Sequence, residues 1–121
     1  MTYSKAQIVA TIGPASTEPS ILKAMIEHQA DVIRLNFSWA DLETRTRQIS
    51  MIRQFEKEFG RHIPIIQDLP GPRIQQGQEH TYDHMAISSL TDKDKEFIKF
   101  GAEQGIDYIA LSFVGGPHDV E

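Results

Sequence analysis

Four short apolar runs, at 7–12, 32–37, 63–68 and 108–113, alternate with segments of helical periodicity, and this alternation leaves few folds open. The first run, Gln7 to Ile12, is rich in β-branched residues and is closed by Gly13-Pro14, as a buried strand would be. Ser16 or Thr17 is placed to cap a helix with Pro19 in its first turn and with Ile21, Leu22, Met25 and Ile26 on one face. After the second run, Asp41 or Ser38 can cap a long helix that ends near Phe59 and is stopped by Gly60. Its apolar positions are Leu42, Ile49, Ile52, Phe55 and Phe59, and its charged residues form the wet face, with Glu43 and Arg47 as one pair. The third run carries Pro64 near its start and ends in Leu69-Pro70-Gly71-Pro72-Arg73, which excludes helix. From 74 to 90 the chain turns polar and reads as a loop or a small hairpin. Thr91 and Asp94 have capping-box spacing before a helix with Phe97, Ile98 and Ala102 on its buried face, which Gly105 ends ahead of the fourth run. The order β-α-β-α-β-loop-α-β makes this an α/β chain of about four strands and three helices. Right-handed crossovers place the strands as parallel neighbours. Ligands then belong beyond the carboxyl ends of the strands, where Ser38, Asp68 and Ser112 fall.

The second run has polar residues set into it at every second position. On a strand, Arg34, Asn36 and Ser38 share one side, while Ile33, Leu35 and Phe37 share the other. A guanidinium turned inward needs an anion, either a ligand or a carboxylate of the protein, and Asp31 and Asp68 are the internal candidates. Other polar residues point to less. Trp39, between strand and helix, is expected to pack on the helix. His80 and His84, with Asp83, have a spacing that binds metals on a helix, but they lie in a segment that reads as an exposed loop. His28, His62 and His118 sit near element ends, as local hydrogen-bonding groups do.

At 121 residues the chain fits one modest domain, and with 40% hydrophobic and 24% charged residues it reads as globular. Seventeen acids against twelve bases give a net charge of -5, and no basic run suggests a nucleic-acid partner or an anionic membrane surface. The absence of cysteine excludes disulfides, a thiolate nucleophile and cysteine-bound zinc. No signal-like segment and no run of about 18 apolar residues is present, so a soluble, cytoplasmic location is expected.

Five segments resemble the amino-terminal half of pyruvate kinase in order and spacing. They are K-A-Q-I-V-A-T-I-G-P-A-S at 5–16, V-I-R-L-N-F-S at 32–38, D-L-P-G-P-R-I at 68–74, L-T-D-K-D-K at 90–95 and I-A-L-S-F-V at 109–114. The resemblance implies strands one to four of an eight-stranded TIM-type β/α barrel, here an incomplete barrel over 1–121. It also implies phosphoryl transfer between phosphoenolpyruvate and ADP in glycolysis. By position, Arg34 matches the catalytic arginine that meets the transferred phosphoryl group. Arg34, Asn36 and Arg73 fall in substrate- or nucleotide-binding segments. Asn36, Ser38, Asp68 and the backbone carbonyl of Leu69 match ligands of a potassium ion. An oxygen-only donor set of this kind suits a hard cation.

Departures from the family pattern are equally specific. Trp39 and Ala40 replace a histidine and a glycine, Pro70 replaces a lysine, and Gln75 replaces an active-site arginine. Residues 75–90 stand where the family inserts a lid domain. The family's catalytic lysine and its two magnesium-binding carboxylates lie on later strands, so magnesium is expected only if a missing half is supplied. The 121 residues are therefore expected to be inactive alone. Two other readings remain: a non-catalytic phosphate- or carboxylate-binding or regulatory module, and a lid-less enzyme of phosphoenolpyruvate or pyruvate carbon chemistry. All three take phosphoenolpyruvate or a similar small anion, and they differ over ADP or ATP. Open sheet edges and an uncovered inner face further imply a homo-oligomer or a complementing barrel half.

Overall fold

The computed structural model describes residues 6–38 and 41–121; Trp39 and Ala40 lie outside the described residues. Six strands and three helices follow one another: β1 (Val9–Ile12), α1 (Pro19–Glu27), β2 (Val32–Asn36), α2 (Leu42–Phe59), β3 (Ile65–Asp68), β4 (Arg73–Gln76), β5 (Glu79–Tyr82), α3 (Asp92–Glu103) and β6 (Tyr108–Ala110). Four of the strands form a parallel sheet in the order β1-β2-β3-β6, while β4 and β5 make a separate antiparallel hairpin. The α/β class, the three helices and the parallel neighbours agree with the sequence, and the four strands do not close into a barrel.

Parallel register puts paired residues on the same side of the sheet, so β2 divides the whole sheet into two faces. Ala10, Ile12, Ile33, Leu35, Ile65 and Gln67 share one face; Thr11, Arg34, Asn36, Ile66 and Asp68 share the other. The first face is covered. Ile12, Ile33, Leu35 and Ile65 join Leu22 and Ile26 of α1, Ile49, Ile52 and Phe55 of α2 and Phe97 of α3 in one core. Each fully buried aliphatic or phenyl side chain there contributes about 1.5–3 kcal/mol. Among the described residues no helix covers the second face, and Val9 and Tyr108 at its edges are 52% and 60% exposed. All three helices thus lie on one side, as in a barrel wall and unlike a doubly wound sheet.

Several boundaries differ from expectation for local reasons. Helix α1 is capped at Glu18, because Ser16 Oγ accepts from the Gly13 backbone N–H and Thr17 Oγ1 donates to the Pro14 carbonyl within a 3-10 turn at Pro14–Ser16. Strand β6 stops at Ala110, where its partner strand runs into Pro70-Gly71-Pro72, which offers one backbone donor in three residues. Ile21, Leu42 and Ala102 lie outside the buried faces assigned to them. Other signals hold: Asp41 Oδ1 accepts from Thr44 N at 2.8 Å, Gly60 closes α2 at φ 64°, and Thr91 and Asp94 form a capping box. Asp94, fully buried, also accepts from Gly71 N at 3.2 Å, tying the start of α3 to the Pro-Gly-Pro turn. Losing the cap and the tie together, Asp94→Ala is expected to cost about 1–3 kcal/mol in urea unfolding.

At the amino-terminal end of the sheet, Arg53 donates to Ile63 O, Gly105 O and Asp107 Oδ2, and His62 bridges Glu56 and Asp107. Burial works to raise the Asp107 pKa, but the Ile65 N–H, Arg53 and His62 outweigh it and hold the carboxyl below its usual value. A depressed carboxylate stabilises the fold above its unfolded pKa, near 3.9, and that contribution is lost as pH falls through the lower folded value. Unfolding free energy should therefore fall below about pH 4, and Asp107→Asn should flatten that acid limb.

Candidate functional site

The site is assembled where β1, β2, β3 and β6 end. Because Arg34 pairs in register with Thr11 on one side and Ile66 on the other, its side chain rises between β1 and β3 on the open face. Its Nη1 donates to Thr11 Oγ1 at 3.1 Å, and its Nη2 makes a salt bridge with Asp68. Of the two internal carboxylates considered, Asp68 is the partner; Asp31 instead accepts the Ile8 backbone N–H at 2.7 Å. The Arg34 side chain nevertheless stays 33% exposed, against 16% for Asp68, so the pair is neither sealed nor fully solvated.

Around this pair the other expected residues take different positions. Asn36 Oδ1 accepts from Ser38 N at 2.9 Å, and Phe37 N donates to Asp68 O, which joins the tips of β2 and β3. The Leu69 side chain is buried in the core, while its carbonyl accepts from Ser112 Oγ at 2.7 Å; the same hydroxyl lies 3.4 Å from Asp68 Oδ1. Asn36, Asp68 and Leu69 O are therefore gathered at adjacent strand tips. Ser38 lines a separate cavity of about 640 Å³ with Arg73, Gln75, Lys93, Phe37 and Phe97, a cavity whose lining does not include Arg34, Asn36 or Asp68. Arg73 is thus placed on the hairpin side, one cavity away from Arg34.

As the side chains stand, the proposed potassium ligands offer a cation no net charge. Asp68 is their one carboxylate, and it is matched by the Arg34 guanidinium. Among the described residues no three His, Asp or Glu side chains converge as a metal site. His84 instead stacks edge-on to Tyr82, and Asp83 accepts from Met85 N.

Sequence reasoning missed Thr11 and Arg45. Arg45 is only 6% exposed; its guanidinium donates to Gln48 Oε1 at 2.6 Å and to the Asn36 carbonyl, and lies 5.6 Å from the Phe37 ring centroid. Burial lowers its pKa, partly offset by Asp41. Thr11, Asn36, Thr44, Arg45 and Gln48 share a cavity of about 380 Å³ beyond β1. The charged residues of α2 are therefore not all on its wet face. Positions 45, 48, 49, 52 and 55 form one buried stripe, and counting back four from Ile49 finds Arg45.

Comparison with known proteins decides the family. The family model described as pyruvate kinase, barrel domain, matches residues 3–88. The chain belongs to the pyruvate kinase family. Pyruvate kinase of Agrobacterium vitis is 45% identical over 76 residues, covering 63% of this chain and 16% of the relative. Pyruvate kinase of Sporosarcina psychrophila is 41% identical over 109 residues, covering 90% and 18%. Pyruvate kinase 2 of Synechocystis is 25% identical over 201 aligned residues, covering 97% and 34%. Thus the chain spans about a third or less of the length of these relatives. The 201 aligned positions exceed the 121 residues present, so at least 80 positions of the Synechocystis protein have no counterpart here.

Since Ser112 Oγ, two residues past β6, donates to the Leu69 carbonyl at 2.7 Å, Ser112→Ala is expected to cost about 1 kcal/mol. Denaturant titration of the variant against the parent chain measures it.

Proposed function

We propose that the chain is the anion-gripping wall of a pyruvate-kinase-type site, in which Arg34 meets the phosphoryl or carboxyl group of phosphoenolpyruvate or a similar small acid. The observation that carries this reading is a guanidinium at the tip of a central strand, on the uncovered face of the sheet, with a third of its surface open beside Asp68, Asn36 and Thr11. Arg suits this role because its planar fork can keep one edge on Asp68 while the other takes an oxyanion. Asn36, whose amide is oriented by Ser38 N, and Arg73, at the neighbouring cavity, complete the proposed substrate-binding set. Residues 1–121 make one partial barrel unit, with 75–90 in the place of the lid; the positions present in the Synechocystis relative and lacking here support that reading.

Phosphoryl transfer rests on positioning and charge neutralisation, and this chain has Pro70 and Gln75 where the resemblance implies cationic groups. The residues that would hold magnesium and the transferring phosphoryl group map, by resemblance, to strands beyond the four described. The reading is therefore of anion binding by the 121 residues and of pyruvate formation in a cytoplasmic, glycolytic setting only when the rest of a barrel faces them. A second copy or a complementing half would cover the open face, on which Val9 and Tyr108 are more than half exposed. The internal pairing of Arg34 with Asp68 favours a second reading, a non-catalytic module for a small phosphate or carboxylate.

Calorimetric titration of the purified chain should detect phosphoenolpyruvate binding that Arg34→Met weakens at least tenfold, about 1.4 kcal/mol. Equal binding by parent and variant overturns the assignment. ADP binding in a parallel titration favours the kinase-type reading over the second one. A lactate-dehydrogenase-coupled assay should show no turnover by the chain alone.

A further inference from the structure

We infer that Arg34 occupies the electrostatic place of the monovalent cation, so that this site holds its anion without potassium. The inference deepens the proposed function, since it concerns the same strand tips. A cation held by Asn36, Ser38, Asp68 and Leu69 would draw its charge complement from Asp68, for the other three donors are neutral. That complement is already used: the Arg34 guanidinium is paired with Asp68 and steadied by Thr11 Oγ1 at 3.1 Å. A second positive charge arriving beside Asp68 would face the guanidinium at salt-bridge range, in a place where both side chains are mostly shielded from water.

The neutral donors are committed as well. Ser112 Oγ has one proton and gives it to Leu69 O at 2.7 Å; its 3.4 Å approach to Asp68 Oδ1 is a second, weaker contact. Asn36 turns its Oδ1 to the Ser38 backbone N–H at 2.9 Å, which takes one of the two lone pairs of that oxygen. Ser38 itself lines the separate hairpin-side cavity, away from Arg34, Asn36 and Asp68. Carbonyl oxygens have a second lone pair, so hydrogen bonds alone do not exclude an ion. The decisive feature is the charge balance at Asp68. Strand register favours that balance: Asn36 pairs with Asp68, so Arg34 stands two residues back on the same face, within reach of the carboxylate.

The test compares the purified chain in potassium chloride and in tetramethylammonium chloride at equal ionic strength. The expected result is the same melting temperature in both salts and phosphoenolpyruvate dissociation constants within twofold. A saturable, potassium-specific rise in melting temperature, or binding tightened tenfold or more by potassium, overturns the inference. Arg34→Gln uncovers Asp68 and should gain the potassium-specific stabilisation that the parent lacks; a folded variant without that gain also overturns it. Should Arg34→Gln fail to fold, thallous-ion NMR of the parent decides: no saturable thallium signal supports the inference, and one displaced by potassium overturns it. The melting comparison needs no ligand. Failure of phosphoenolpyruvate to bind in either salt therefore counts against the proposed function and leaves the cation result standing.

Discussion

Successive side chains of a strand must leave the sheet on opposite sides, and in β2 this constraint separates the protein's stability from its chemistry. Ile33, Leu35 and Phe37 go to the helices and are almost wholly buried; Arg34 and Asn36 go to the uncovered face and remain partly open. A slip of one residue in register would put a guanidinium into the core and three large apolar groups into water, so the register is strongly fixed. The parallel ladders then transmit it to β1 and β3, which is why Thr11 and Asp68 arrive beside Arg34 without any local signal of their own.

The two ends of the sheet do different work. At the amino-terminal end, Arg53, Glu56, His62 and Asp107 form a network that bonds the start of β3 and the turn before β6. At the carboxyl end, the polar groups of Arg34, Asn36 and Asp68 are partly exposed and reach across strand tips. Such a division is expected of β/α units, in which loops at the carboxyl face carry function and the opposite face carries stability. The buried Arg45 belongs to the second end yet acts from below, since its guanidinium grips the Asn36 carbonyl and so steadies the tip of β2 from the covered side.

Much of this was legible in the residues. The polar alternation in β2, the Asp41 cap, the Thr91-Asp94 box and the Gly60 stop depend on neighbours within a few positions, and these are where sequence and structure agree. What failed depends on distant partners. Ser16 and Thr17 are good caps in isolation, but the Gly13-Pro14 turn takes both hydroxyls first. Arg45, Gln48 and Gln67 are polar residues on buried stripes, each met by a specific partner: Arg45 donates to Gln48 Oε1 and to the Asn36 carbonyl, and Gln67 Nε2 donates to Phe97 O at 2.7 Å while its side chain fills the space over Gly101. No composition rule foresees such a match. Whether Arg34 meets an internal acid was likewise open, because Asp31 and Asp68 flank it equally well until the ladder is drawn.

The hairpin of β4 and β5 leaves and rejoins the body at nearly the same point. Asp83 N bonds Pro72 O, Gly71 packs against Ser112 and Phe113, and Tyr82 lies 5.3 Å from the Phe113 ring. Those few contacts bring both stalks of the excursion together on a fixed footing, while everything between residues 74 and 82 hangs clear of the sheet. An excursion hinged in that manner can be swapped for a short ribbon or a whole folded module with little strain at its root. Evolution could therefore trim or enlarge it freely, and the strand tips beneath would scarcely register the change.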